Sequence, residues 1–320
     1  MAEWLIEHGI GEDRALLIDG DKVLAAKLHW PGELFARQRL RIRLASRVKG
    51  SNRALAITES GVEVLLDRVP DSASEGSDVD IILTRAPMAE RGRLKRAQGR
   101  IAIGHENTAG SPFDELGDTH VVRSLPHSLW EDVWHAASQG NVSFAGGSLT
   151  FSTTPAMTLI DVDGEGSSKD LALTAIPALA QGIRQFDLGG SIGVDFPTIS
   201  DKAGRRAIDR ALDEALADFP HERTAMNGFG FVQLVARLEG PSLLHRAAHS
   251  RTEAAARFVL RQAERVEGAG ALLLTTHPAI KTRLKDKWLE ELARRTGREV
   301  RIATDPNLAL EGGFAQIVPL

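Results

Sequence analysis

Two apolar runs that end on acid constrain this chain more than any other feature in it. Leu159-Ile160-Asp161-Val162-Asp163-Gly164 and, downstream, Gly193-Val194-Asp195-Phe196 both read as strands closed by carboxylates. Between them, Leu171 to Phe186 carries a helical pattern, with Pro177 inside it as a kink or a late start. Leu188-Gly189-Gly190 then stops the helix in the manner of a C-cap. A second helix is expected over 201–218, where Ala207, Ile208, Ala211, Leu212, Ala215 and Leu216 form one apolar stripe. Strand, helix, strand, helix is the order of an α/β unit. In open sheets of that kind, ligands gather at strand C-terminal ends, where these acids lie.

Side chains two residues apart on a strand share a face, so Asp161 and Asp163 are expected to point the same way. If the strand carrying Asp195 lies alongside, three carboxylates meet at one sheet edge. Mg²⁺, or Mn²⁺ in its place, favours such oxygen donors and keeps several waters as well. A metal held this way can activate water and stabilise charge on a phosphate oxygen. The expectation is a phosphodiesterase-type site with Asp161, Asp163 and Asp195 as catalytic and metal-binding residues. A plainer role stays open at this level: Asp caps turns and helices, and Asp163-Gly164 is an ordinary turn dipeptide.

The 320 residues are enough for two or three compact units. An apolar content of 42% and a charged content of 26% are those of a globular protein, and no apolar run approaches the ~20 residues that span a bilayer. The acidic N-terminus lacks a signal-peptide pattern, so a cytoplasmic protein with no membrane partner is expected. The absence of cysteine excludes disulfides, thiolate zinc sites, iron–sulfur clusters and cysteine nucleophiles.

A net charge of −4 argues against a chain that coats nucleic acid over its whole surface. The charge is unevenly spread, however. Seven basic residues and no acid lie between Arg37 and Arg53, and strict alternation puts Arg39, Arg41 and Arg43 on one strand face opposite Leu40, Ile42 and Leu44. With Arg47, Lys49 and Arg53 they make a candidate RNA-binding stripe, and Arg91, Arg93, Lys95, Arg96 and Arg100 form a second basic run. A solvated face offset by Glu59, Glu63, Asp67, Asp71, Glu75, Asp78 and Asp80 accounts for the same pattern equally well.

Along the chain, residues 14–30 read as a hairpin turning at Asp19-Gly20-Asp21. Strands at 39–48, 53–58, 61–66 and 79–84 suggest a small barrel of OB type, and 104–120 reads as a loop. Pro126 to Ala137 is expected to be a helix with Trp130 and Trp134 in the core. Strands at 142–144, 148–153 and 156–162 open the α/β unit. The tail reads as helix 251–267, strand 270–275, helix 278–296, strand 299–303 and a last strand from Gly313 to Val318.

With the three aspartates placed, the chain resembles the ribonuclease E/G family. The blocks that carry the likeness lie across 145–243: Gly146-Gly147, Leu159 to Asp163, Arg184-Gln185-Phe186-Asp187-Leu188-Gly189-Gly190, Ile192 to Phe196, Phe229-Gly230-Phe231 and Gly240-Pro241-Ser242-Leu243. The resemblance implies a multidomain α+β and α/β protein. A ribonuclease-H-like lobe (1–36 plus 101–140) would hold an inserted OB-type barrel (37–100). A deoxyribonuclease-I-like core (141–245) and a small α/β C-terminal domain (246–320) would follow. It also implies Mg²⁺-dependent endonucleolytic cleavage of single-stranded RNA leaving a 5′-phosphate, in RNA processing or decay, with Asp161 and Asp195 as metal ligands.

The chain departs from the family pattern at several points. Asp163 stands where the family usually has Asn, and Gln233 where it has Glu, while the arginine pair that follows is largely lost. The cysteine pair of the family's zinc link is absent, so no zinc-linked dimer is expected. The 5′-end sensor region is shortened, and 53–66 lacks aromatics. His245 and His249, near the position of that link, are spaced to face one way on a helix, and solvent-exposed helix histidines are expected rather than a metal site. Two other functions use the same residues: a non-catalytic RNA-binding or scaffold protein, and a metal-dependent phosphoesterase acting on DNA or a small molecule.

Overall fold

The computed structural model describes residues 2–104 and 108–320; residues 105–107 of the expected loop lie outside the described residues. The chain opens with three antiparallel strands, β1 (Glu3–His8), β2 (Asp13–Asp19) and β3 (Lys22–His29). The expected hairpin is β2–β3. β1 was not foreseen, because Glu3 and Glu7 hide a short apolar centre, Trp4-Leu5-Ile6, that pairs with Ala15-Leu16-Leu17 of β2.

A closed barrel follows, built from β4 (Arg39–Arg47), β5 (Ala54–Ile57), β6 (Glu63–Asp67) and β7 (Asp78–Arg85). A small hairpin, β8 (Met88–Glu90) and β9 (Arg93–Lys95), leads to the fifth barrel strand, β10 (Ala97–Ile101). The order is β10-β6-β5-β4-β7, and β10 closes the ring by pairing parallel to β6 and antiparallel to β7. Closure removes exposed edges and leaves an interior just wide enough for side chains. Ile42, Leu44, Ala54, Ala56, Val64, Leu66, Ile81 and Leu83 fill it. The sequence hides β10, since Ala97-Gln98-Gly99-Arg100 has no strand-forming pattern. Its Gly99 lets the strand approach closely: a Cβ there would stand 3.2 Å from both Ile81 Cδ1 and the Ile82 carbonyl oxygen. The chain then returns as β11 (Thr119–Val122), parallel to β1, at the edge of the first sheet.

Helix α1 (His127–Gln139) leads into a six-stranded mixed sheet: β12 (Asn141–Phe144), β13 (Gly147–Thr153), β14 (Thr158–Gly164), β15 (Gly190–Asp195), β16 (His221–Arg223) and β17 (Phe231–Ala236). Trp130 on α1 is fully buried, as its spacing suggests. The sheet order is β12-β13-β14-β15-β17-β16, and β14–β15 is its one parallel pair. Helix α2 (Ser168–Gln185) makes the crossover between those two strands, and α3 (Lys202–Ala215) follows β15. Ser167 caps α2 by accepting from the Asp170 amide at 3.2 Å. Pro177 does not delay the helix, which starts at Ser168 and runs through it.

The helix stop differs from expectation. Asp187, not a glycine, takes the left-handed position at φ 53°. The Leu188 amide donates to the Ile183 carbonyl (3.0 Å) and the Asp187 amide to the Arg184 carbonyl (3.3 Å), the two bonds of a Schellman cap. The Asp187 carboxylate also meets Lys27 Nζ of β3 at 2.8 Å, which ties the helix end to the first sheet.

One sheet face is dry. Leu149, Phe151, Ile160, Val162, Ile192, Val194, Val232 and Leu234 are buried in one cluster with α2 and α3. The other side of α2 rests on β3, where Gln181 and Gln185 both donate to the Val23 carbonyl. The opposite face of the six-stranded sheet is open.

After α4 (Leu243–His249) and α5 (Arg251–Glu264), a three-stranded sheet of β18 (Ala271–Thr276), β19 (Val300–Thr304) and β20 (Phe314–Val318) forms, in the order β19-β18-β20. The single helix expected over 278–296 is two: α6 (Pro278–Lys281) and α7 (Asp286–Thr296). No glycine or proline marks the break. Lys285 turns extended (φ −88°, ψ 141°), while Leu284 and Trp288 go into the local core. Trp288 packs so closely on Gly11 that a Cβ there would lie 2.6 Å from its ring. Among the described residues, no helix is long and apolar enough to cross a membrane.

Candidate active site

The two acid-ended strands lie side by side. β14 and β15 are in parallel register, with Asp161 directly opposite Asp195. Along β14 burial alternates, so Leu159, Asp161 and Asp163 face outward while Ile160 and Val162 face the core. The period-two argument from sequence therefore holds, and all three carboxylates sit on the open face at the strand C-terminal ends. Partial burial, followed by the charges of Asp163 and Asp195, holds the Asp161 carboxyl above the usual carboxylate range. None of the three is in an ion pair with Lys or Arg among the described residues.

The donor chemistry suits a hard cation, since every group is a carboxylate oxygen and the like charges lack a compensating cation. Among the described residues, no group of three or more His, Asp or Glu side chains is placed so that it could hold a metal ion by itself. Mg²⁺ does not require one: it is usually held by one or two carboxylates together with water and substrate phosphate. The open cluster is compatible with that coordination.

Sequence reasoning missed the residues that frame the acids. On β13, Thr150 is opposite Asp161 and Ser148 opposite Asp163, with Ser152 opposite Leu159. The signal was present as hydroxyl residues alternating with Leu149 and Phe151. On the other side, β17 places Phe231 opposite Asp195 and Gln233 opposite Gly193. A Cβ on Gly193 would stand 2.5 Å from Phe231 Cζ and 3.0 Å from both Leu159 Cδ2 and Met157 Sδ. The Phe231 ring therefore lies across β15, and only glycine leaves room for it. Gly193→Ala is expected to displace that ring and cost about 1–3 kcal/mol, measurable as a lowered denaturant midpoint.

The basic stripe divides on inspection. Arg39, Arg41 and Arg43 alternate outward from β4 as expected. Arg39 meets Asp80 (3.3 Å), Arg41 approaches Asp78 (3.9 Å) and Arg53 meets Asp67 (2.9 Å). A bulge between Leu44 and Ser46 turns Arg47 away, and its guanidinium holds the carbonyls of Pro70 (2.8 Å) and Ala73 (2.6 Å). Arg43 and Lys49 have no carboxylate partner among the described residues. With Asp71 at 3.3 Å from the Arg47 guanidinium, the acids that the sequence set against this stripe thus meet four of its six members.

His245 and His249 are half-buried rather than solvent-exposed. Their ring centroids are 5.2 Å apart, and His249 Nε2 lies 3.0 Å from Thr153 Oγ1. Burial and then the neighbouring His249 push His245 down to about 4, so its imidazole is neutral at physiological pH. His249 thus fastens α4 to β13.

No family model matches the chain. It is similar to ribonuclease G of Escherichia coli (strain K12), at 26% identity over 191 residues covering 51% of this chain and 39% of that protein. Ribonuclease G of Shigella flexneri and of Salmonella typhimurium (strain SL1344) match with the same identity and coverage. The match spans about two-fifths of those curated relatives. With ribonuclease G aligned over 51% of this chain, the family that the chain resembles is ribonuclease E/G.

Proposed function

We propose that the chain is a Mg²⁺-dependent endoribonuclease that cleaves single-stranded RNA and leaves a 5′-phosphate. The observation that carries this reading is the in-register pair Asp161 and Asp195 on adjacent parallel strands, with Asp163 on the same exposed face and none of them ion-paired among the described residues. Similarity to ribonuclease G points to the same chemistry. We further assign the barrel to the OB-type slot, the first sheet to the ribonuclease-H-like lobe and the six-stranded sheet to the deoxyribonuclease-I-like core.

Asp161 and Asp195 would hold the metal. When bound, Mg²⁺ supplies a Lewis acid that lowers the pKa of water and offsets charge on the phosphate. Asp163 orients the attacking water through a carboxylate oxygen and takes its proton. The water oxygen bonds to phosphorus, the bond from phosphorus to the 3′ oxygen breaks, and that oxygen leaves as a hydroxyl by taking a proton from solvent, to which Asp163 then releases its own. Ser148 and Thr150 line the same face with hydroxyls able to donate to phosphate oxygens. Arg43 and Lys49, with Arg41, supply salt-dependent attraction to the rest of the strand.

The test compares cleavage of labelled single-stranded RNA, single-stranded DNA and a nitrophenyl phosphodiester, each with Mg²⁺ and with EDTA. RNA cut only with Mg²⁺, giving 5′-phosphate ends, is the expected result. RNA retained in a gel shift without product would favour the scaffold function, and cleavage confined to DNA or the small diester would favour the phosphoesterase.

A further inference from the structure

We infer that Phe229 and Phe231 form a stacking platform for unpaired nucleobases, so that the preferred substrate is a single strand whose base beside the scissile phosphate is splayed onto the open sheet face. This rests on the nuclease reading above and goes on to define what the site grips. Phe229 is 82% exposed, yet its backbone is fixed. Asn227 Oδ1 accepts from the amides of Phe229 (2.8 Å) and Phe231 (3.1 Å), and Thr198 Oγ1 donates to the Phe229 carbonyl at 3.2 Å.

The turn is also stitched to the residues that directly follow Asp195. The Phe196 amide donates to the Gly230 carbonyl at 3.2 Å. Gly230 sits at φ 93°, where a Cβ would lie 2.3 Å from the Phe196 carbonyl oxygen. A bare aromatic ring is thus held on a rigid turn, immediately beyond the acid cluster, with little in the fold to cover it. Burial of that ring in the fold would have been favourable, and its exposure leaves its face free for a ligand.

Phe231 continues the surface inward. It is opposite Asp195 in the β15–β17 register and shares the open face with the acids. Its ring crosses Gly193 beside Leu159 and Met157. An apolar strip therefore adjoins a carboxylate row, which matches a nucleotide's flat apolar base next to its charged phosphate. Neither phenylalanine has a hydrogen-bonding group, so the platform reads the π-face of a base and not its identity. The barrel strands over 53–66 carry no aromatic that could do this.

The experiment measures anisotropy of a short fluorescein-labelled RNA, single-stranded and as a duplex, in Ca²⁺ with the intact chain, F229A and F229W. F229A is expected to bind the single strand about tenfold more weakly, to bind the duplex like the unaltered chain, and F229W to restore affinity. Equal single-strand affinity for F229A and the unaltered chain, an equal loss on the duplex, or no binding by the unaltered chain overturns the platform. Cleavage with Mg²⁺ by an F229A protein that binds normally would remove the platform and keep the nuclease. Phe229-dependent binding with no cleavage by any form would keep the platform and remove the nuclease.

Discussion

Replacing Asp161 or Asp195 by Asn should abolish Mg²⁺-dependent cleavage, by a factor on the order of 10³ or more, without weakening the fold. The magnitude follows from what a catalytic metal contributes: several kcal/mol of transition-state charge stabilisation, at about 1.4 kcal/mol per tenfold in rate. Asn keeps the volume and one oxygen but carries no charge, so cation affinity falls while packing is unchanged. Both residues face outward from the dry side of the sheet, and no core contact is lost. Single-turnover cleavage of labelled RNA measures the effect. Undiminished cutting by D161N would sink the assignment.

The stability side of that experiment has a definite sign. The folded-state pKa of Asp161 is raised, first by partial burial and then by Asp163 and Asp195. An acid with a raised pKa destabilises the fold once it ionises; the cost appears as pH climbs through the ordinary Asp value of about 3.9 and is complete above the folded-state value. At neutral pH the metal-free chain carries the whole cost and D161N none of that part. Metal-free D161N should therefore melt at or above the unaltered protein near pH 7, with the difference closing below the ordinary Asp value. Added Mg²⁺ should raise the melting temperature of the unaltered chain alone, because a ligand stabilises only the state that binds it.

How much was legible beforehand depends on whether a property is local. Asp161 and Asp163 share a face because of the strand period alone, and the link to Asp195 needed only that a crossover helix makes neighbouring strands parallel. Long-range pairing hid the rest. β10 closes the barrel through partners on β6 and β7 that nothing in Ala97–Ile101 announces. β11 is a polar edge strand recruited by β1. The cross-strand acids that meet Arg39 and Arg53 were visible only as composition until the fold brought them together. Phe229 was legible as part of a family block, but its exposure depends on how Asn227 folds the turn.

The buried ionic chain between the first sheet and the C-terminal unit gives the largest stability effect we expect. Glu12 precedes β2 with its side chain 5% exposed, and it accepts from Arg261 Nη1 of α5 at 2.6 Å. It also lies 3.5 Å from Arg14 Nε. Arg14 in turn pairs with buried Glu7, and Arg261 reaches Glu131 of α1 at 2.7 Å. Burial raises the Glu12 pKa, but Arg261 and Arg14 together outweigh it and hold the carboxyl below the usual range. Glu12→Gln preserves shape while leaving two enclosed guanidinium groups short of a counter-charge. Arg14 already has Nε and Nη1 without hydrogen-bond partners. Removing one partner of a buried pair costs about 3–5 kcal/mol, and here the loss falls at the joint where Arg257 also grips the Gly11 carbonyl at 2.7 Å. Urea unfolding should show a lower midpoint and an earlier transition for the C-terminal unit. Glu299→Gln, whose carboxylate meets Arg301 on the surface, should leave the midpoint almost unchanged. Because the Glu12 pKa is depressed in the fold, its contribution is present above the ordinary Glu value of about 4.3 and fades as pH falls through the folded value. The gap between the two proteins must therefore narrow in acid. A gap that stayed constant below that pH would show that the carboxylate's charge is not what holds the joint together.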